Sequence, residues 1–209
     1  MTHFLRRLFP TSEEHLLMGR SGGQAPAPDA QASDVEMQAI HSTDDPNVEM
    51  LETFASANGF PTGWASEMLG DGASAVIARD SAAAAAGATL AMAWMTQHPF
   101  HVEEIGATID PGSGVYLFGD FVAPAHRGRK LQKRLVAQRL RLAASAAFAV
   151  TLVHPANLAS VRSYQHEDFV VGARFVRYRW RSRTWTRCKT VDRAAVTFAL
   201  DEQDGIVAS

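Results

Sequence analysis

Hydrophobic and polar positions change period several times along this chain, and the changes mark its elements. Val35, Met37 and Ala39 alternate with polar neighbours, which predicts a strand. Asp45-Pro46 has the form of a helix start, with Asp at the N-cap and Pro in the first turn. Val48, Leu51 and Phe54 follow at helical spacing as far as Asn58-Gly59. A second short helix is predicted around Trp64 to Leu69, closed by Gly70. Ala75 to Ala78 and Ala88 to Met95 predict two strands joined across an alanine-rich turn. His98 to Pro111 fits no period and is expected as a loop or strand edge bearing Glu103 and Glu104. Gly114 to Val122 is predicted as a strand. Strict alternation there puts Phe118, Asp120 and Val122 on one face, and Leu117, Gly119 and Phe121 on the other.

The later elements follow the same logic. Leu131, Leu135, Val136 and Leu142 predict a helix over about Gly128 to Ala147. Ala149 to Val153 is predicted as a buried strand, Asn157 to Glu167 as a short helix. Phe169 to Arg179 and a segment within Trp185 to Leu200 are predicted as further strands. Residues 1–33 read differently. Ser21 to Ala30 is small, polar and Pro-bearing without periodicity, so 1–33 is expected to be a flexible tail, with at most a short helix over Glu13 to Met18. The folded domain is then 34–209. The element order is α/β, with helices covering both faces of one mixed sheet.

Composition narrows the function classes. The chain has 209 residues, 46% of them hydrophobic, enough for one domain with a substantial core. No run approaches a membrane span, and the apolar stretch at the start is interrupted by Arg6 and Arg7, unlike a signal peptide. A cytoplasmic location without membrane attachment is the default expectation. Cys188 is the only cysteine, so an intramolecular disulfide is excluded and a Cys-based metal site is not expected. The net charge of −2 hides an asymmetry, for residues 121–209 hold 16 Lys/Arg and 6 Asp/Glu. No acidic residue occurs from Phe121 through His166. Such a half suits a solvated face or an anionic ligand.

Candidate chemistry concentrates between Tyr116 and Phe169. A strand runs into the turn at Pro124 and the basic loop Arg127-Gly128-Arg129-Lys130-Leu131-Gln132-Lys133, which opens the long helix. Helix-terminal N–H groups lack intrahelical partners and the helix dipole favours a negative ligand, so such a loop suits phosphates. After the next strand, Asn157 starts a helix carrying Ser160 and Tyr164.

This segment resembles the GNAT superfamily of N-acetyltransferases. Arg127-Gly128-Arg129-Lys130-Leu131-Gln132 is similar to the family's pyrophosphate loop, with Lys130 and Gln132 standing where that family has small residues. Asn157, Ser160, Tyr164 and Phe169 match its second signature, with Asp168 in place of a Gly. The resemblance implies a mixed, mostly antiparallel GNAT-like sheet with helices on both faces. It implies acetyl-CoA as co-substrate, a small-molecule amine as acceptor, and direct transfer between them. It implies that Arg127 to Lys133 hold the phosphates, that Phe121 and Val122 pair with the pantetheine, and that Asn157 and Ser160 touch the cofactor. Tyr164 is the expected proton donor to the departing sulfur, and Asp120 the expected base, with Glu103, Glu104 and His154 competing for that role. Glycine at the two departed positions would let backbone approach the pyrophosphate closely, so a CoA-binding protein without turnover stays open. So do a longer acyl donor and a homodimer. A nucleic-acid binder fits the basic half but leaves the Asn157–Tyr164 spacing unexplained, and neither nucleic acid nor metal is expected. The Arg run Arg174, Arg177, Arg179, Arg181 and Arg183 reads as a solvated strand edge.

Overall fold

The computed structural model describes residues 11–22, 34–81, 88–180, 183–190, 199–200 and 207–208. The predicted alternation becomes β2 (Val35–Ile40), followed by α1 (Val48–Ala57) and α2 (Trp64–Gly70). Asp45 does not cap α1 itself. Its Oδ1 accepts from the backbone N of Asn47 at 2.9 Å, and Asn47 is the N-cap. Strands β3 (Ser74–Asp80) and β4 (Thr89–Thr96) form a hairpin, and β7 (Val115–Val122) pairs antiparallel with β4. Helix α3 (Leu131–Leu142) leads to β8 (Phe148–Val153), and α4 (Leu158–Gln165) leads to β9 (Val170–Trp180) and β10 (Arg183–Thr190). The segment that fitted no period folds as the hairpin β5 (Phe100–Val102) and β6 (Ala107–Asp110), joined by β11 (Ala199–Leu200) in a small second sheet.

The expected tail is the largest departure. Thr11–Ser21 is β1, and it lies in the middle of the main sheet, whose strand order is β12-β10-β9-β1-β8-β7-β4-β3-β2, with β12 spanning Val207–Ala208. β1 pairs antiparallel with β8 on one side and β9 on the other. The physical reason is the short run Leu16-Leu17-Met18, exposed by only 6, 0 and 0%. A brief apolar run flanked by polar residues has no period, and it is what an interior strand covered on both faces requires. A domain start at Asp34 is therefore corrected to include Thr11–Ser21; residues 1–10 and 23–33 lie outside the described residues. The arginine-bearing β9 is also interior, between β1 and β10, and Arg174 pairs with Glu14 of β1 at 2.5 Å.

The sheet is mostly antiparallel, with β7 and β8 parallel at its centre. Helices cover both faces. Leu51, Phe54 and Ala65 of α1 and α2 pack with Ile77 and Trp94 on one face. On the other, Val136 and Leu140 of α3 and Tyr164 of α4 pack with Met18 and Leu117.

Candidate active site

Parallel pairing between β7 and β8 lasts for Val115 to Leu117 only. Beyond Leu117, β7 continues to Val122 paired with β4 alone, so the two central strands part and leave one edge of β7 open. The backbone N of Ala123 donates to Leu90 O at 3.0 Å, on the β4 side. Successive strand N–H groups point to opposite sides, so the N–H of Val122 faces the open edge.

A cavity of about 600 Å³ lies against that edge. Phe121, Val122 and Asp120 form its strand wall, the loop and first turn of α3 form its floor, and Asn157 and Ser160 close it from α4. Arg127, Gly128, Lys130, Leu131, Gln132 and Lys133 all line it, together with His126. Arg129 does not. Its guanidinium turns out to Asp34 at 2.7 Å, in an exposed ion pair of the kind that adds little stability. Asn157 performs the capping expected of it, its Oδ1 accepting from Ser160 N at 3.2 Å.

Two of the three departed positions, Lys130 and Asp168, are the two non-glycine residues with positive φ among the described residues. Lys130 has φ +58° as N-cap of α3, and Asp168 has φ +64° before β9. Side chains in this left-handed region are strained by roughly 1–2 kcal/mol, least for Asp and Asn. Lys130 thus keeps the backbone conformation a glycine would take while adding a cation to the cavity. Gly128, at φ +82°, has nothing within 4 Å of where a Cβ would project. The other departure, Gln132, puts its amide across the cavity: Nε2 donates to Ser160 Oγ at 2.7 Å and to Asp120 Oδ2 at 3.3 Å.

Asp120 reaches α3 because β7 is not regular. Two steps on β4, Met92 to Trp94, match three on β7, Phe121 to Phe118. The extra residue is a β-bulge, and Gly119 takes φ +62° within it. The bulge corrects the face assignment: Phe118 and Phe121 both pack toward α1 and α2, and Asp120 joins the opposite face. A Cβ at Gly119 would lie 2.8 Å from Trp94 Cδ1.

Asp120 is there held by an unpredicted residue. Arg139 is fully buried and pairs with Asp120 Oδ1 at 2.5 Å. It also donates to Trp94 O at 2.8 Å and Phe118 O at 3.3 Å, which offsets the desolvation of a buried charge. Tyr164, 1% exposed, donates its hydroxyl to Asp120 Oδ2 at 2.7 Å and accepts from Arg139 Nη2 at 3.2 Å. The structure therefore brings Asp120 and Tyr164 together, but as one network in which Asp120 lines the cavity and Tyr164 is buried beside it. Burial raises the Tyr164 pKa above its usual value; the Arg139 charge pulls the other way and the Asp120 charge adds to the rise. Burial disfavours the Arg139 cation, but Asp120 and Tyr164 outweigh it and the guanidinium pKa is raised. The signal in sequence was an Arg inside the apolar stripe Leu131, Leu135, Val136, Leu140 of α3.

A second cavity, about 590 Å³, lies on the other face of the same strand. Phe118 and Gly119 line it, one step before the residues that line the first. Of the competing bases, Glu103, Glu104 and His154 are all on its wall. So is His15 of β1, 8% exposed, whose ring stands edge-on to His154 at 5.6 Å between centroids. Sequence reasoning missed His15 because it fell in the expected tail. No group of three or more His, Cys, Asp or Glu is placed to hold a metal among the described residues, and no described helix is long and apolar enough to cross a membrane.

Residues 39–169 match the family described as Acetyltransferase (GNAT) family. No curated protein matches the chain in sequence. Among solved structures, an acetyltransferase of the GNAT family from Novosphingobium aromaticivorans is similar, with 18% identity and TM-score 0.56, over 79% of this chain and 63% of that one. An N-acetyltransferase from Sphaerobacter thermophilus matches with 11% identity and TM-score 0.58, over 85% of this chain and 54% of that one. A GNAT-family acetyltransferase from Colwellia psychrerythraea matches with 18% identity and TM-score 0.53, over 82% and 57%. The matched region spans less than two thirds of each of these structures, and at such identities the likeness concerns the fold.

Proposed function

The chain belongs to the acetyltransferase (GNAT) family, and we propose that it transfers an acetyl group from acetyl-CoA to a primary amine of a small-molecule acceptor by direct attack. The observation that carries this reading is the convergence of an open strand edge and a cationic helix start on one cavity. Acetyl-CoA brings a thioester-activated acetyl group at one end and phosphates at the other. The phosphate end suits Arg127, Lys130 and Lys133 and the N–H groups around Gly128, where no Cβ obstructs approach. The open edge at Phe121 and Val122 suits the extended pantetheine, and the Val122 N–H is placed to donate to a carbonyl oxygen as charge develops there.

Asp120 Oδ2 accepts from Tyr164 and Gln132 and Oδ1 faces the Arg139 cation, so we read Asp120 as orienting Tyr164 rather than taking a proton. Tyr164 is the proposed source of the proton for the departing sulfur. Its raised pKa keeps the hydroxyl protonated, and to serve the sulfur it turns that proton from Asp120 toward the cavity that Asp120 lines.

Calorimetry at moderate salt tests the binding, with one site for CoA expected and weakening as salt rises. Free-thiol release with acetyl-CoA across a panel of amines tests turnover. The Gln132 bridge across the cavity favours one alternative, a CoA-binding protein without turnover, and binding without thiol release for any amine would identify it. Absence of binding at millimolar CoA, on folded protein, sinks both readings.

A further inference from the structure

We infer that the acceptor is a cationic amine carried on a flat apolar group, seated in the second cavity, and that His15 takes its proton. The inference rests on the reading that acetyl-CoA occupies the first cavity. The two cavities meet β7 at successive residues, Gly119 on one side and Asp120 on the other, where β8 has already parted from it. An amine in the second cavity therefore approaches the open edge from the side opposite the α3 loop.

The walls describe the body of the amine. Phe100 and Phe118 lie 4.4 Å apart between centroids, Tyr116 stacks on Phe118 at 5.5 Å with 7° between planes, and Phe60 faces Trp64 at 4.7 Å. All five rings line the cavity. They offer flat apolar faces and ring quadrupoles, which suit an aromatic body and a cation. The charges describe its head. The carboxylates are Glu103 and Glu104, and no Lys or Arg is among the described residues lining this cavity. A free ammonium is drawn in, while an amine that also carries a carboxylate or phosphate meets like charge.

His15 supplies the proton acceptor. Its ring lines the cavity, with Nδ1 shut off from solvent and without a hydrogen-bond partner among the described residues, which leaves Nε2 as the nitrogen an incoming ammonium can reach. In the tautomer that carries the proton on Nδ1, the Nε2 lone pair is the acceptor for a proton from the cavity. His154 Nδ1 accepts from Ala156 N at 3.2 Å, so its neutral ring carries the proton on Nε2. His154 is exposed and stands edge-on to His15, on the way to solvent.

The chemistry balances. The ammonium gives one proton to His15. The neutral nitrogen forms a bond to the acetyl carbonyl carbon, the carbon–sulfur bond breaks, and the electron pair leaves on sulfur. The nitrogen's surplus proton is lost as the amide forms and the sulfur is protonated, with Tyr164 as the immediate donor and regained from the surplus proton. The products are the N-acetylated amine and CoA thiol, and His15 returns its proton to water past His154.

The groups facing His15 are His154 beyond β8, Glu104 of the β5–β6 turn, Arg177 of β9 and Glu13 of its own strand. Burial lowers its pKa first, His154 when protonated and the Arg177 charge lower it further, and Glu104 and Glu13 act against them. The ring is therefore neutral at pH 7, and kcat/KM should fall only as pH drops below the ordinary imidazole value of about 6.5.

The test uses the full chain with acetyl-CoA and three amines: phenethylamine, glucosamine and glutamate. Phenethylamine should exceed each of the others at least roughly tenfold in kcat/KM. His15→Gln should lower kcat/KM for phenethylamine by roughly 10²-fold, abolish the acidic limb, and leave CoA affinity by calorimetry within about twofold. CoA binding with equal use of the three amines, or with an unchanged rate and pH profile in His15→Gln, overturns this inference and leaves the acetyltransferase reading standing. Thiol release from none of the three overturns it as well, and loss of CoA binding in the wild-type protein removes both. Should His15→Gln fail to fold, the wild-type amine ranking and acidic limb decide alone.

Discussion

The two cavities on either side of β7 are nearly equal in volume, about 600 and 590 Å³, and opposite in chemistry. The first carries Arg127, Lys130 and Lys133 against a single carboxylate, Asp120, which is itself paired with Arg139. The second carries two carboxylates, three histidines and a wall of aromatic rings. The difference teaches how one strand can present cavities of opposite charge on its two sides. The bulge at Gly119 sends Asp120 to the basic side and keeps Phe118 on the aromatic side, and Arg139 ties the strand down from behind by binding Asp120 and the Phe118 carbonyl at once.

Deleting residues 1–22 should break the comparison most completely. It removes β1, the buried Leu16, Leu17 and Met18, and His15 of the second cavity, but no residue of the first. Those three side chains represent roughly 5–9 kcal/mol of burial, against a total stability of about 5–15 kcal/mol for a domain. The expected result is loss of a cooperative thermal transition, so that CoA binding disappears although every cation of the loop remains. A stable, CoA-binding remainder would show that β1 is an accessory strand.

Arg139→Leu comes next. It leaves Asp120 without its counter-charge and the Trp94 and Phe118 carbonyls without their donor. Removing one partner of a buried pair costs about 3–5 kcal/mol, which urea denaturation should register as a lower midpoint. Both cavities should suffer, because the strand between them loses its anchor.

Tyr164→Phe separates the two sides. The ring remains, and the loss of hydrogen bonds to Asp120 and Arg139 should cost about 1–2 kcal/mol of stability. Turnover should fall roughly 10²-fold while acetyl-CoA affinity changes by no more than a few-fold. An unchanged rate under conditions where chemistry limits turnover would assign Tyr164 to packing alone.

The smallest effects come from the loop. Lys130→Gly relieves a left-handed lysine and removes a cation. Stability should rise by less than about 1 kcal/mol, because part of the relief is offset by the freer unfolded chain, while CoA affinity drops a few-fold at low salt. Arg129→Ala should leave CoA affinity unchanged, since that side chain faces Asp34 outside the cavity; a drop equal to that of Arg127→Ala would place it among the phosphate contacts.

What the sequence determined by itself is the first cavity. Its strand, basic loop, α3 start and Asn-capped α4 follow one another between Asp120 and Ser163, and local rules of periodicity, capping and turn chemistry operate at that range. The left-handed backbone at Lys130 and Asp168 was not legible, because a missing glycine marks close approach and positive φ alike, and Gln132 carries the first signal without the second. Tertiary structure alone decided the rest. The second cavity draws on residues from His15 to His154, and nothing local says that they meet. β1 was unreadable because three apolar residues suffice for a strand buried on both faces and also fit a helix or a tail. The bulge at Gly119 inverts strand parity, which alternation cannot anticipate, and Arg139 looks like any helix arginine until Asp120 is turned to face it. Local conformation is set by the backbone preferences of neighbours, whereas partners for buried charges and lone pairs are set by which distant strands pack together.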